Sequence, residues 1–256
     1  MAAYIGPEIT LRDLMLEPAY GLMEQSWGPR EMKEGRLNAD GYGFGWFAPD
    51  GRPAFYTNPM PIWTDRNLAD LGRSLAAPQW LANVRSATRS MDISHANTQP
   101  FADDRYIFLH NGYVADFATS LRTRIRQNLD PDIEAGVHGN TDSEYLFAMF
   151  REIMAERENC TVDQGLLELF KIIEEWTAGI KSLLNVIIGD GRRLYATRHA
   201  LNGECPSLYF TTEEKNYPGG MLIASEPLTE SGSWQPVPEH HMLILDTEQH
   251  VQLLPL

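Results

Sequence analysis

Hairpin signals stand on both sides of a helical middle, and that order restricts the chain to antiparallel sheets with helices laid outside them. In the last third, the apolar runs Leu183 to Ile188 and Leu194 to Thr197 flank Gly189-Asp190-Gly191. Asp-Gly tolerates the positive φ that a tight hairpin turn requires. Further strand-like runs follow at Ser207 to Thr211, Gly220 to Ser225, His241 to Leu245 and His250 to Leu254. In the first third, Asn38 to Ala48 reads as a loop leading into a strand, and Pro49-Asp50-Gly51-Arg52-Pro53 turns it back into Ala54-Phe55-Tyr56. Trp80 to Ala87 and Tyr106 to Leu109 are the next expected strands. Between them and the later hairpins, Asp142-Ser143-Glu144 opens an amphipathic helix running through Ile153, with Thr141 or Asp142 as its N-cap. A second helix is expected over Val162 to Trp176, with Leu166, Leu167, Phe170, Ile172 and Ile173 on roughly one face. Strands grouped on either side of helices make an α+β fold.

No linker, charge block or internal repeat divides the 256 residues, so one domain over 1–256 is expected. Acidic residues outnumber basic ones 35 to 21, and a net charge of −14 repels phosphate backbones, which argues against a nucleic-acid partner. The longest apolar stretch, Leu183 to Ile188, is too short to span a bilayer, and the N-terminus lacks the basic start and apolar core of a signal peptide. Two cysteines, Cys160 and Cys205, do not suggest a disulfide framework. A cytoplasmic protein with no membrane partner is the expectation.

Chemistry concentrates in two neighbouring segments. Ala82-Asn83-Val84-Arg85-Ser86-Ala87-Thr88 delivers an Arg and a Thr to a strand end, and Arg105 to Leu109 runs on into His110-Asn111-Gly112. An Arg can fork onto a carboxylate with two charge-assisted hydrogen bonds, which a Lys cannot do. An Asn amide beside a Gly N–H offers two donors to one developing oxyanion. Together they suit a site that holds an amino-acid head group and stabilises a tetrahedral intermediate at an amide. Asn-Gly is also a common tight-turn dipeptide, so a hairpin turn is expected at Asn111-Gly112.

In these segments the chain resembles the class II glutamine amidotransferases, which are N-terminal-nucleophile hydrolases. The resemblance implies a four-layer αββα sandwich of antiparallel sheets, and no cofactor or metal. It also implies roles for individual residues. Arg85 would bind the α-carboxylate of a glutamyl group, Thr88 would line that pocket, and Asp142 would pair with the α-ammonium. Asn111 and Gly112 would form the oxyanion hole, and His110 would be structural. A substrate held by Arg85 and Asp142 together is a small γ-glutamyl amide rather than an internal peptide Gln.

The family's nucleophile is a Cys at the mature N-terminus, with its own α-amine as the base. This chain reads Met1-Ala2-Ala3-Tyr4-Ile5-Gly6, and the catalytic Cys is absent from it. Neither Cys160 nor Cys205 can offer a free α-amine. The preferred expectation places Cys-Arg just ahead of Met1, because family members carry three residues between Cys-Arg and an aromatic in the position of Tyr4. The alternatives are a catalytically inactive protein that binds γ-glutamyl ligands, or a glutaminase subunit passing ammonia to a partner. The pattern Leu16-Glu17-Pro18, Gln25-Ser26-Trp27 and Asn38-Ala39-Asp40-Gly41 is most similar to the ergothioneine-biosynthesis branch, which removes glutamate from γ-glutamyl-hercynylcysteine sulfoxide. Trp27, Trp46 and Trp63 are candidates to face that substrate's trimethylammonium group.

Overall fold

The computed structural model describes residues 1–31, 37–86, 92–177 and 179–256. The chain begins with β1 (Ala2–Thr10), α1 (Leu11–Met15), α2 (Leu22–Trp27), β2 (Tyr42–Phe47), β3 (Pro53–Asn58), α3 (Leu68–Ser74) and β4 (Ala76–Val84). Next come β5 (Phe101–Ala102), β6 (Ile107–Val114), α4 (Phe117–Ser120), α5 (Arg122–Gln127), α6 (Pro131–Ala135), α7 (Asp142–Glu156) and α8 (Val162–Thr177). The last third is all strand: β7 (Ser182–Gly189), β8 (Arg193–Arg198), β9 (Ala200–Leu201), β10 (Tyr209–Thr211), β11 (Met221–Ala224), β12 (Gln235–Pro236), β13 (His241–Asp246) and β14 (Val251–Pro255).

Two antiparallel sheets result. One has the order β12-β10-β11-β1-β4-β2-β3, and the other β14-β13-β8-β7-β6-β5 with β9 paired beside β7. Period-two alternation sends each strand's side chains to two different cores. On β1, Ala3 and Ile5 meet Leu109, Ile187 and Leu243 of the second sheet, while Ala2 and Tyr4 face outward with Trp80 onto the layer of α1 to α3. On β6, Ile107 and Leu109 point between the sheets, and Phe108 points out to α7 and α8. Three cores separated by two sheets make the four-layer αββα sandwich. Each fully buried Leu, Ile or Phe contributes about 1.5–3 kcal/mol of transfer free energy. Among the described residues, no helix is long and apolar enough to cross a membrane.

The helices depart from the sequence expectation in two ways. α7 is not amphipathic: every residue from Asp142 to Phe150 is buried, because α5, α6, α8 and β6 all pack against it. Its N-cap is Thr141, whose Oγ1 accepts the Glu144 N–H, so Asp142 is the first helical residue rather than the cap. On α8 the buried stripe is Leu166, Leu169, Phe170 and Ile173, while Leu167 is 41% exposed.

One polar hub pins the hairpin β2–β3. Asp65 Oδ2 accepts from Tyr42 Oη at 2.7 Å, Tyr56 Oη at 2.5 Å and Asn58 Nδ2 at 3.1 Å, and Oδ1 accepts from the Asn67 N–H. Partial burial alone would raise this carboxyl, but the hydrogen bonds outweigh it and hold it at about 2, below the ordinary 3.8. The stabilisation is therefore present above about pH 4 and is lost as pH falls toward 2. Solvent screening reduces it to about 1 kcal/mol. Asp65→Asn is expected to lower stability by that order at neutral pH, and the gap from wild type should close between pH 4 and 2 in urea unfolding. A gap independent of pH would contradict this account.

Candidate active site

The start of β1 lies inside the molecule. The Met1 amine is buried and donates to Ser225 Oγ at 2.9 Å, while the Ser225 N–H donates to the Met1 carbonyl at 2.9 Å. Burial lowers this amine to about 6, against the opposing pull of the Glu226 charge. Glu226 is held in turn, accepting from Tyr20 Oη at 2.9 Å and from the Arg30 N–H at 2.8 Å. Gln25 Nε2 donates to the Tyr20 carbonyl, and Asn38 Nδ2 donates to the Gln25 carbonyl. These bonds close the α2 segment and the Asn38–Gly41 loop around the beginning of β1.

Arg85 follows β4 immediately and is 8% exposed. Its N–H donates to the Gly41 carbonyl, and its guanidinium reaches the Asp40 carbonyl at 3.4 Å. Burial works against its charge, while the nearby carboxylates of Asp40 and Asp142 favour it. Asp142 joins the start of α7 to the end of β6, its Oδ2 accepting the Val114 N–H at 2.8 Å and its Oδ1 the Ser143 N–H at 2.7 Å. The Ser143 hydroxyl adds a longer bond to Oδ1 at 3.3 Å, and a carboxylate's capacity of about four acceptor sites leaves room for one ammonium hydrogen bond.

Asn111 and Gly112 do not form a turn. Both lie inside β6, in register with Asn185 and Leu184 of β7. The turn preference of Asn-Gly is a local one and is overridden here by packing: a Cβ on Gly112 would stand 1.9 Å from the Leu183 carbonyl oxygen and 2.8 Å from His110 Nε2. Glycine is required by this close approach rather than by a positive φ. Among the described residues the Asn111 side-chain amide has no hydrogen-bond partner, and the residue is half-buried, so its donors are available to a ligand. His110 has both ring nitrogens engaged, Nδ1 with Ser143 Oγ at 2.9 Å and Nε2 with the Leu183 carbonyl at 2.8 Å. It ties β6 to α7 and β7. Gln99 completes the frame, donating to the His110 carbonyl and accepting the His110 N–H. Thr88 lies outside the described residues.

Arg85 thus follows β4, Asp142 opens α7 against the end of β6, and Asn111 and Gly112 lie within β6. Sequence reasoning did not find Ser225, Glu226, Tyr20 or Gln25 as members of the neighbourhood around the start of β1.

A model of the class-II glutamine amidotransferases matches residues 23–254. The chain belongs to that family. Among its relatives, the γ-glutamyl-hercynylcysteine sulfoxide hydrolase of Mycolicibacterium smegmatis is 29% identical over 99% of this chain and 98% of that protein. A protein of the same name from Mycobacterium tuberculosis is 29% identical over 94% of this chain and 89% of that one. A probable glutamine amidotransferase of Saccharomyces cerevisiae is 25% identical over 97% of this chain. In structure, a glutamine aminotransferase class-II domain protein from Silicibacter pomeroyi superposes with a TM-score of 0.75 at 23% identity, covering 99% of this chain and 97% of that one. The glutamine phosphoribosylpyrophosphate amidotransferase of B. subtilis gives a TM-score of 0.67 at 14% identity over 48% of its length. These two superpositions support the αββα fold of this class-II amidotransferase.

Proposed function

We propose that the protein hydrolyses the γ-glutamyl C–N bond of a small γ-glutamyl amide, with γ-glutamyl-hercynylcysteine sulfoxide as its preferred substrate. The nucleophile in this reading is a Cys thiol two residues ahead of Met1. The register of β1 against β4 carries it. Ala2 pairs with Ala82, Ala3 with Leu81 and Tyr4 with Trp80, so each step back along β1 advances one residue along β4. Continued by that rule, Met1 falls opposite Asn83, and a residue two positions before it falls opposite Arg85.

In this reaction the thiol sulfur attacks the γ-carbonyl carbon and the terminal amine takes the thiol proton. The oxyanion is held by the Asn111 amide and the Gly112 N–H. The C–N bond then breaks, the leaving amine receives the proton, and water attacks the resulting thioester to release glutamate and free the thiol. Arg85 and Asp142 hold the α-carboxylate and α-ammonium of the glutamyl group throughout.

Two observations support the hercynyl conjugate. Relatives of matching length carry that substrate in their names. Trp27 and Trp63 stand edge to face, with ring centroids 5.9 Å apart, and are 43% and 41% exposed. Open aromatic faces of this kind suit a trimethylammonium cation. Trp46 is half-buried and packs against Trp80 and Phe44.

The test is kcat/KM for γ-glutamyl-hercynylcysteine sulfoxide against glutamine, with the Cys-Arg start in place. The conjugate is expected to win by tenfold or more, roughly the 1.4 kcal/mol of one exposed-to-desolvated cation–π contact. Equal or better use of glutamine would overturn the substrate assignment while leaving the γ-glutamyl hydrolase reading intact.

A further inference from the structure

We propose that Cys205, His240 and Glu239 form a zinc site where the loop after β9 meets the start of β13, with His199 orienting its histidine ligand. This inference is independent of the γ-glutamyl reading. The three side chains each offer a donor atom, and these atoms lie within 4.8 Å of one another. They come from two loops, one after β9 and one before β13, which a shared ion would clip together. Cys205 is buried, whereas Glu239 and His240 are exposed, so an ion can reach the donors from solvent. His240 also lines a cleft of about 530 Å³ with Phe170 and His199.

The geometry of the imidazole favours a metal over a simple thiol–imidazole contact. Cys205 Sγ and His240 Nε2 are 3.9 Å apart. That is long for a hydrogen bond, but it is close to the spacing of about 3.6 Å that tetrahedral Zn–S and Zn–N bonds impose on two ligand atoms. The other ring nitrogen, His240 Nδ1, lies 3.1 Å from His199 Nδ1. With His240 donating from Nδ1, its Nε2 lone pair is left aimed at Cys205, the arrangement that ligating histidines use when a neighbour fixes their tautomer. His199 is itself held, its ring stacked on Phe170 and its backbone N–H donating to Asn185 Oδ1.

The backbone commits His240 to this pose. It has φ 56°, in the left-handed region that non-glycine residues occupy at a cost. Its N–H donates to the Arg198 carbonyl at 2.7 Å, and its carbonyl accepts the Leu256 N–H at 2.8 Å. Glu239 Oε1 faces Arg198 at 3.3 Å, and its carboxylate keeps further lone pairs for an ion. A Cys, a His and a carboxylate form a donor set of borderline softness, which suits Zn²⁺ better than Mg²⁺ or Ca²⁺. Binding releases one proton as the Cys205 thiol becomes a zinc-bound thiolate, and a water completes the fourth position.

The experiment is titration of the metal-free full chain with Zn²⁺, and with Co²⁺ as a coloured substitute. One equivalent is expected to bind, with a thiolate-to-cobalt charge-transfer band in the near ultraviolet that Zn²⁺ abolishes. Cys160→Ser should keep the band and Cys205→Ser should lose it, since these are the chain's two cysteines. His199→Ala keeps every ligand and should weaken Zn²⁺ binding by about 10–100-fold, which separates orientation from folding. Absence of stoichiometric binding by the wild type would overturn the proposal. So would a Cys205→Ser protein that binds Zn²⁺ as tightly as the wild type.

Discussion

Gly112→Ala is expected to destabilise the fold at or beyond the upper end of the usual 1–3 kcal/mol cost of overpacking. The added methyl carbon would stand 1.9 Å from the Leu183 carbonyl oxygen and 2.6 Å from its carbonyl carbon. Backbone cannot yield as a flexible side chain can, so β6 and β7 must separate at the centre of their pairing. That pairing runs unbroken from Ile107 opposite Gly189 to Val114 opposite Ser182. Relief by displacement would also move Val114, whose N–H holds Asp142, and His110, which donates to the same Leu183 carbonyl. Urea unfolding of the purified variant measures the effect. A midpoint unchanged from wild type would mean that the strand pair accommodates a Cβ, and the steric account of this glycine would fail.

Asn111→Ala is expected to leave the fold intact and lower kcat by about 10²–10³-fold in the Cys-started protein, the range found for loss of one oxyanion donor. The residue is half-buried, and β6 is held in register by backbone bonds that the substitution does not touch. KM should change little, because the amide acts on charge that develops only as the tetrahedral intermediate forms. Asn111→Asp should be at least as damaging, since it sets a negative charge beside the oxyanion. A variant that raises KM while sparing kcat would move Asn111 from the oxyanion hole to ground-state binding.

The contrast between these two neighbours shows what a sequence can and cannot convey. The β7–β8 hairpin was legible because Asp190-Gly191 states its turn locally, and Gly191 does take a positive φ. Asn111-Gly112 states a turn just as clearly and forms none, since the carbonyl of Leu183, distant in sequence, decides the matter. α7 misled for a related reason. Its outward face carries residues that would suit solvent, yet three other helices cover it. β1 was hard to read as a strand because Gly6-Pro7 interrupts its alternation, and the register shifts between Ile5 and Ile9. Within the site, Arg85 and Asp142 stood out as charged residues beside apolar runs. Ser225, Glu226 and Tyr20 did not, because only the pairing of β11 with β1 brings them to the Met1 amine.

The reading of the whole site turns on where β1 aims its beginning. The measurement that tests it most directly is glutamate release by the chain carrying Cys-Arg ahead of Met1, with the Cys exposed at the mature terminus, compared with the same protein carrying Ala in place of that Cys. Steady turnover of a γ-glutamyl amide by the first and none by the second is the predicted result. No turnover by a folded Cys-started protein, on either the hercynyl conjugate or glutamine, would contradict the account.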